Sequence, residues 1–225
     1  MKHLRRVQPK SVVEVGCGLG AMAHRLASRF DYRGYEPDRT SFEVSAGRLA
    51  DLGRGEVVND VPPLIPDRRF DALCAFEVLE HIEDDEKALR AWTSWVRPQG
   101  ALILSVPAHP ERFGPCDVAV GHCRRYTRDD LASVMSAAGI RVTEIETWGM
   151  PAGYVLELVR NSMTRTATTE QPAPDRTARS GRLYQPSRRL GRVTEVVMWP
   201  FAQIQKPFAQ TGHGIGFVAV GRVNP

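Results

Sequence analysis

The sequence lacks several features that would place it in a specialised class of protein. No apolar stretch approaches the roughly 20 residues that a membrane-spanning helix needs. The four cysteines, Cys17, Cys74, Cys116 and Cys123, form neither a C-x-x-C pair nor the framework of a small secreted domain, so we expect reduced thiols. The basic start of the chain is not followed by an export signal, because Glu14 interrupts the apolar run. These absences favour a cytoplasmic protein.

A strong charge of one sign is missing as well. The net charge is only +4 and the basic residues form no solid block, so the sequence does not indicate dedicated nucleic-acid binding. The chain does have 225 residues, of which 42% are hydrophobic and 25% charged. That is enough for one sizeable core, and there is no internal repeat. We therefore expect a single domain over residues 1–225.

Strand-like and helix-like segments alternate through the first half of the chain. Short apolar runs predict strands at 12–15, 32–35, 56–59, 72–76 and 101–106. Amphipathic segments predict helices over 21–29, from Thr40 or Ser41 to 52, and over 84–96, with a helical turn at 77–82. This alternation predicts an α/β fold, with a parallel sheet, crossover helices on both faces and a ligand site at the carboxyl ends of the strands.

The alternation stops after the fifth strand. Residues 107–126 form a connection rich in Pro, Gly, His and Arg, and a loop of that length is usually functional. Thr127 caps a predicted helix that runs to about residue 138, and strands are predicted at 141–147 and 216–222. The segment 149–214 does not fit a βα unit, so we interpret it as a substrate-side insertion or lid. Within it, we predict helices over 154–160 and 188–205 and an exposed loop over 164–180.

A glycine-rich turn follows the first strand. Gly16, Gly18 and Ala21 satisfy the dinucleotide pattern G-x-G-x-x-G/A. Glu36 ends the second strand, where a carboxylate can accept hydrogen bonds from ribose hydroxyls. By its glycines alone, the turn predicts only a nucleotide-like ligand.

Glu14, two positions before Gly16, favours a ligand without phosphate. A carboxylate at the strand tip would repel a pyrophosphate. S-adenosylmethionine instead carries an ammonium and a sulfonium, and its carboxylate can meet the N–H groups of the helix that begins near Gly20. We therefore interpret the turn as a site for S-adenosylmethionine. The alternative is that Glu14 is a solvated charge at the strand end.

Several motifs follow one another along the chain. They are V-E-V-G-C-G-L-G from Val13, G-Y-E-P-D from Gly34, F-D-A-L-C-A-F-E-V-L-E-H-I from Phe70 and P-Q-G-A-L-I-L-S-V-P from Pro98. Together they resemble the class I S-adenosylmethionine-dependent methyltransferases, over roughly residues 11–147 and the last strand. The resemblance implies a Rossmann-like sheet of about seven strands with an antiparallel last strand.

The resemblance also implies which residues contact the cofactor. Glu36 would hold the ribose, and Asp60 would meet the adenine amine, with Asn59 as the alternative. The methionine part and the transferred methyl group would face residues of the glycine turn and of the segment that ends the fourth strand. These are Glu14, Gly16, Cys17, Gly18, Phe76, Glu77, Val78 and His81.

Two motifs narrow the resemblance further. E-V-L-E-H-I at 77–82 and G-H-C-R-R-Y-T at 121–127 resemble the branch that contains ubiquinone-pathway O-methyltransferases and many small-molecule methyltransferases. A small-molecule acceptor, methylated at oxygen rather than nitrogen, is therefore expected. An RNA or protein methyltransferase and a scaffold that only binds the cofactor are the alternatives.

Methyl transfer is an in-line displacement that depends mainly on positioning the reactants. A hydroxyl or ammonium nucleophile also needs a base. His122 is the first candidate because it lies in the loop at the expected pocket mouth and histidine side chains ordinarily titrate at about pH 6.5. His109 and Tyr126 are the alternatives. Arg124 and Arg125 either anchor the loop or bind an anionic acceptor.

A divalent cation is a further hypothesis. Glu77, Glu80 and His81 are spaced i, i+3 and i+4, as on one helical face, and His122 comes from a loop over the same sheet edge. The turn is similar to that of small-RNA 2′-O-methyltransferases, which share E-x-x-E-H and a later histidine. The alternative is that these side chains only stabilise the turn. A zinc site is disfavoured because its candidate ligands fit no standard spacing: Cys116, Cys123, His109 and His122.

The residues that cover the pocket are less clear from the sequence. Few residues precede the first strand, whereas the family commonly has N-terminal helices over the pocket, so either the chain is shortened or the insertion takes their place. The apolar candidates for this role are Tyr154, Leu156, Leu183, Tyr184, Met198, Trp199 and Phe201. Residues 188–208, with a basic start and an apolar face, could also lie on a membrane surface. The oligomeric state is not predicted.

Overall fold

The computed structural model of the protein describes residues 1–164, 203, 206–209 and 211–225. A seven-stranded sheet organises them, in the order β3-β2-β1-β4-β5-β7-β6. Its strands are β1 (Ser11–Val15), β2 (Asp31–Tyr35), β3 (Glu56–Val58), β4 (Phe70–Phe76), β5 (Val96–Pro107), β6 (Ile140–Trp148) and β7 (Gly216–Val223). Strands β1 to β5 pair in parallel, and β7 is antiparallel to both of its neighbours. The predicted fold class is confirmed.

Helices cover both faces of this sheet. They are α1 (Lys2–Val7), α2 (Ala21–Ala27), α3 (Arg39–Leu52), α4 (Asp85–Thr93), α5 (Pro115–Val120), α6 (Arg128–Ala137) and α7 (Ala152–Thr164). Short 3-10 turns lie at Leu79–His81, Pro110–Arg112 and Lys206–Phe208. One core contains buried residues of α4 and α6, and the other contains buried residues of α1, α2 and α3.

Strand β1 shows how the sequence produces two cores. All of its residues are buried, as expected for a central parallel strand. Successive side chains point to opposite faces, so Val13 and Val15 pack in the α4–α6 core while Val12 packs in the α1–α3 core. The carboxyl end of β1 therefore lies between two helical layers, next to the ends of β2 and β4.

Two predicted boundaries are wrong. Helix α3 begins at Arg39, because the carboxylate of Asp38 accepts a hydrogen bond from the Ser41 N–H at 2.8 Å and caps the helix in place of Thr40 or Ser41. Helix α4 ends at Thr93 instead of reaching Val96. Val96 is already part of β5, where it pairs with Phe70 of β4.

The predicted long connection after β5 contains regular structure. It holds the 3-10 turn at Pro110–Arg112 and helix α5, which begins with the Gly114 N–H donating to the Asp117 carboxylate at 2.8 Å. Its two ends are joined by a hydrogen bond from the His109 N–H to the Tyr126 carbonyl at 2.9 Å. The connection is therefore an ordered excursion that starts and finishes beside the end of β5. The capping box of Thr127 with Asp130, predicted at the start of α6, is confirmed.

The insertion is described only at its two ends. Helix α7 confirms the helix predicted over 154–160 and extends it in both directions. The loop predicted over 164–180 and the helix over 188–205 lie outside the described residues, apart from residues 164 and 203. In the part of the chain that the structure describes, no helix has the length and apolar character needed to cross a membrane.

Helix α1 is absent from the sequence prediction. It buries Leu4 against the sheet, with only 2% of that residue exposed. Its basic side chains reach carboxylates of β6: Lys2 bonds to Glu146 and Arg6 bonds to Glu144 at 3.1 Å. A helix of six residues is too short to be stable alone, so these contacts hold it in place.

Replacing Leu4 with Ala should lower the free energy of unfolding by about 2 to 4 kcal/mol, because it removes a buried side chain and leaves a cavity. Urea denaturation monitored by circular dichroism measures the change. Arg6→Ala is the matched control on the same helix, and its exposed ion pair should contribute less than about 1 kcal/mol. Equal effects of the two substitutions would show that α1 is not held by its apolar contact.

Candidate cofactor and acceptor site

A cavity of about 1050 Å³ lies at the edge of the sheet where the parallel strands end. Its walls include Gly16 and Gly18 after β1, Glu36 after β2, Phe76 at the end of β4 and Pro107 at the end of β5. This is the edge at which the βα alternation predicts a ligand. The cavity continues past these strand ends to the connection after β5 and to α7.

The turn after β1 requires glycine at two positions, because a side chain there would strain the backbone or clash with a neighbour. Gly16 and Gly18 have φ values of 67° and 54°, in the left-handed region that glycine adopts at low cost. A Cβ atom on Gly16 would lie 2.6 Å from the Val78 side chain. The Gly16 N–H also donates to the Tyr35 carbonyl of β2 at 2.9 Å. The turn therefore brings bare backbone to the cavity wall.

Glu36 joins this turn to the end of β2. One carboxylate oxygen accepts a hydrogen bond from the Gly18 N–H at 2.8 Å, and the other accepts one from the Asp38 N–H at 2.9 Å. Burial raises the pKa of the Glu36 carboxyl, and these two hydrogen bonds oppose that rise. Each oxygen keeps a second acceptor site, so the carboxylate can also receive hydroxyl donors from the cavity.

Glu14 does not line the cavity, contrary to the sequence prediction. It faces the same side of β1 as Val12, and only 2% of it is exposed. Its carboxylate accepts a hydrogen bond from the Tyr32 hydroxyl at 2.6 Å, while burial raises its pKa to about 7. Cys17 is also enclosed, with its Sγ atom 3.9 Å from the Ser45 hydroxyl. Both residues support the turn from beneath and present no polar group to a ligand.

The two residues after β3 have different positions. The Asn59 side-chain amide donates to the carbonyls of Glu36 and Pro37, at 2.9 and 3.1 Å. It therefore fixes the exit of β2 and does not line the cavity, which corrects its predicted role as an alternative adenine ligand. Asp60 does line the cavity, and its carboxylate accepts a hydrogen bond from the Val61 N–H at 2.7 Å.

The segment after β4 begins with Phe76 and Glu77, and both line the cavity. Glu77 has a φ of 56° and accepts a hydrogen bond from the Ser105 hydroxyl at 2.7 Å. Burial raises the pKa of the Glu77 carboxyl, and the Ser105 hydrogen bond opposes that rise. The 3-10 turn starts only at Leu79, so the prediction that Glu77 shares one helical face with Glu80 is wrong.

Glu80, His81 and His122 form a compact cluster, with one possible ligand atom of each lying within 4.8 Å of the others. Glu80 is fully buried and neither of its carboxyl oxygens has a hydrogen-bond partner. Burial raises its pKa well above the usual range, and the charge of Glu77 adds to the rise. Burial lowers the pKa of His81 to about 4. The metal hypothesis stays a prediction, and the cluster reduces its ligand set to these three residues.

His122 lines the cavity and has a carboxyl group near each ring nitrogen. Its Nδ1 lies 2.8 Å from a carboxylate oxygen of Asp117, and its Nε2 lies 3.7 Å from a carboxyl oxygen of Glu80. Its ring packs edge-on against that of His81, with 4.8 Å between the centroids. Of the three predicted candidates for the base, His122 is the one that lines the cavity.

The two alternatives to His122 point elsewhere. Tyr126 is buried and its hydroxyl donates to Asp85 at 2.8 Å, while burial raises the pKa of the phenol. His109 has its Nδ1 3.2 Å from a carboxylate oxygen of Glu111. Neither residue lines the cavity, so the geometry does not support their predicted catalytic role.

The predicted zinc ligands are not assembled in the described part of the chain. Cys123 is exposed and its thiol contacts the His81 carbonyl. Cys116 lies at the cavity wall, but neither cysteine belongs to a group of ligand atoms close enough for a metal ion.

The arginines of the loop act as anchors, which was one of the two predicted alternatives. Arg124 donates to the Asp85 carboxylate at 2.9 Å. Arg125 donates to both carboxylate oxygens of Asp117, at 2.9 and 2.7 Å, and also to Glu157. Arg125 lines the cavity as well, so the anchor forms part of its wall.

The start of the insertion supplies another part of the wall, but through different residues from those predicted. Leu156 is 57% exposed, and the Tyr154 ring lies under the Arg112 guanidinium at 4.1 Å. The α7 residues that line the cavity are Glu157 and Arg160. The other predicted lining residues, which are Leu183, Tyr184, Met198, Trp199 and Phe201, lie outside the described residues.

Sequence reasoning missed Asp117 and Glu157, both of which are buried and charged. A signal for Glu157 was available, because it interrupts the apolar stretch of α7 and acidic residues are rarely buried without a partner. No comparable signal marks Asp117, which stands in a loop of mixed composition.

Comparison with known proteins agrees with this architecture. The family described as "Methyltransferase domain" matches residues 3–145. A phosphoethanolamine N-methyltransferase of Triticum aestivum is 23% identical over 62% of this chain and 26% of its own length. A ubiquinone biosynthesis O-methyltransferase of Chromobacterium violaceum is 32% identical over 43% of this chain and 44% of its own length. The chain thus spans less than half the length of either relative.

A solved structure shows the same fold. It is an S-adenosylmethionine-dependent methyltransferase from Clostridium acetobutylicum, with a TM-score of 0.61, 8% sequence identity, and coverage of 100% of this chain and 89% of that one. The family match spans more than half of the chain and includes the glycine turn, Glu36 and the segment after β4. The chain therefore belongs to the methyltransferase-domain family, the class I S-adenosylmethionine-dependent methyltransferases.

Proposed function

We propose that the protein transfers a methyl group from S-adenosylmethionine to a hydroxyl oxygen of a small molecule, with His122 as the general base. The observation that carries the proposal is the position of His122. It lines the same cavity as Glu77, which follows the strand whose end would face the methyl group. The carboxylate of Asp117 lies within hydrogen-bond distance of its Nδ1. Its Nε2 is then the nitrogen that accepts a proton.

The cofactor half of the cavity fits S-adenosylmethionine. The carboxylate of Glu36 would hold the ribose hydroxyls, and Asp60 would meet the adenine amine. The glycine turn and Phe76 would contact the methionine part, where a side chain on Gly16 would clash with Val78. When bound, the cofactor supplies a sulfonium-linked methyl group that a nucleophile displaces. The protein's contribution is to hold the two reactants in line.

The acceptor half supports a small molecule as substrate. The cavity volume of about 1050 Å³ is close to the upper end of the usual range for small-molecule sites, about 300 to 1,000 Å³. Beyond His122, its wall includes apolar residues, Val120, Trp148 and Ile215 among them, beside the charged side chains of the loop and of α7. We assign residues 149–214 to this half, because α7 contributes Glu157 and Arg160 to the same wall.

Oxygen is favoured over nitrogen as the methyl acceptor. The relatives compared above include one named for each kind of acceptor. A neutral amine attacks without prior loss of a proton, whereas a hydroxyl becomes a good nucleophile only as its proton leaves. An imidazole whose other nitrogen is held by a buried carboxylate suits the hydroxyl.

Replacing Glu36 with Ala should weaken the binding of S-adenosylhomocysteine by at least about tenfold. The loss of a charge-assisted hydrogen bond costs about 1.5 to 3 kcal/mol, and each 1.4 kcal/mol is tenfold in affinity. Isothermal titration calorimetry measures the change. Glu86→Ala is the control, since Glu86 pairs with Arg90 on the surface of α4 and lies outside the cavity. Unchanged affinity in Glu36→Ala would exclude the ribose role.

Replacing His122 with Ala should lower the turnover number by about 10² to 10⁴, the usual contribution of a general base. The assay measures S-adenosylhomocysteine release with catechol and with phosphoethanolamine, which test a hydroxyl and an amine. The affinity for S-adenosylhomocysteine should stay within about twofold, because binding does not need the base. His109→Ala, which removes an imidazole outside the cavity, is the control. If His122→Ala and the wild type turn over catechol equally fast, His122 is not the base.

A further inference from the structure

A chain of buried charges connects His122 to α7. Asp117 lies 2.8 Å from the His122 Nδ1 and is held on its other side by Arg125, through two hydrogen bonds of 2.9 and 2.7 Å. Arg125 in turn donates to Glu157. The side chains of Arg125 and Asp117 are 6% and 2% exposed, so water competes little for these contacts.

We propose that Asp117 is a positioning residue that fixes the tautomer and ring orientation of His122. The proposal rests on the proposed function, because the orientation matters for catalysis only if His122 is the base. Its own content is structural and can be measured without an acceptor. Asp117 lies outside the sequence motifs from which the site was predicted. Its role is inferred from its contacts in the structure alone.

The chemistry of the Asp117 contact determines where the imidazole proton lies. Burial would raise the pKa of Asp117, but hydrogen bonds from His122, Arg125 and the Gly114 N–H more than offset it and bring the pKa to about 2. An ionised carboxylate can only accept hydrogen bonds, so the His122 Nδ1 carries the proton. Nε2 then carries the lone pair.

The carboxylate of Asp117 has little freedom to turn away from His122. Its Oδ2 accepts from Arg125 and from the Gly114 N–H at 2.8 Å, while its Oδ1 is shared by Arg125 and His122. Arg125 is itself constrained, because Glu157 on α7 and the Ala108 carbonyl occupy its remaining nitrogen. Both oxygens of Asp117 are therefore held by groups from the N-terminus of α5 and from the loop that follows this helix.

The other groups near His122 do not replace Asp117 as its anion. Burial raises the pKa of Glu80 well above the usual range, which favours the uncharged form of that carboxyl. Burial lowers the pKa of His81 to about 4, so that imidazole is neutral as well. The groups that face His122 or act on its charge are Asp117, Glu77, Glu80, His81 and Arg125. Of these, Asp117 alone is within hydrogen-bond distance.

Imidazole ¹⁵N NMR on the full chain tests the proposal. The signals of His122 are identified by their loss in His122→Asn. In the wild type we expect the Nδ1–H tautomer, and we expect Asp117→Asn to raise the population of the Nε2–H tautomer, because the anion that holds the Nδ1 proton is lost. Asp85→Asn is the matched control, since Asp85 bonds to Arg124 and Tyr126 in the same region without touching His122.

Two results would overturn the proposal: an Nε2–H tautomer in the wild type, or an unchanged tautomer population in Asp117→Asn. If Asp117→Asn does not fold, the wild-type tautomer still decides the question. In the methyl-transfer assay, Asp117→Asn should lower the turnover number at least tenfold while the affinity for S-adenosylhomocysteine stays within about twofold, whereas a purely structural defect would weaken both.

The two proposals fail in different ways. Full turnover in His122→Ala removes the base and with it the proposed function, whatever the NMR result. An inactive His122→Ala combined with an unchanged tautomer population in Asp117→Asn removes only the positioning role. Loss of activity in His122→Ala together with a larger Nε2–H population in Asp117→Asn supports both.

Discussion

A buried carboxylate needs hydrogen-bond donors, and this need organises the cavity. Glu36 obtains donors from the backbone of the glycine turn and of the α3 N-terminus, which ties β1 to β2. Asp117 obtains them from Arg125 and His122. An ionised carboxylate without such partners costs several kcal/mol when buried. The same requirement thus shapes both halves of the cavity. Backbone N–H groups satisfy the carboxylate in the cofactor half, and side chains satisfy the carboxylate in the acceptor half.

Much of the fold could be predicted because its signals are local. Apolar runs such as Phe70–Phe76 and the breaks after them fix the order of strands and helices, and the parallel order places their carboxyl ends on one edge. Glu36 and Asp60 line the cavity, since each comes within two residues of the end of a strand, and their contacts with the cofactor stay predictions. His122 was found for a related reason, because its loop follows β5 and reaches the same edge.

The rest depends on contacts between distant residues, which a single sequence does not show. Helix α1 is short and is stabilised by carboxylates of β6. The direction of the Glu14 side chain is set by the alternation of β1, which turns it toward Tyr32 and away from the ligand. The electrostatic argument from Glu14 reached the right cofactor class, although this carboxyl lies beneath the turn and its raised pKa weakens its charge at neutral pH.

The two hypotheses for His122, a metal ligand and a general base, both require the same lone pair on the imidazole. Its Nδ1 is occupied by Asp117, so only the Nε2 lone pair can serve either a metal ion or the proton of an acceptor. A cation between Glu80, His81 and His122 would require an ionised Glu80 and would take that lone pair. Burial instead favours the protonated form of Glu80, which is a poor ligand for a cation. The raised pKa of Glu80 therefore favours the base over the metal site, because a base at His122 does not require an ionised Glu80.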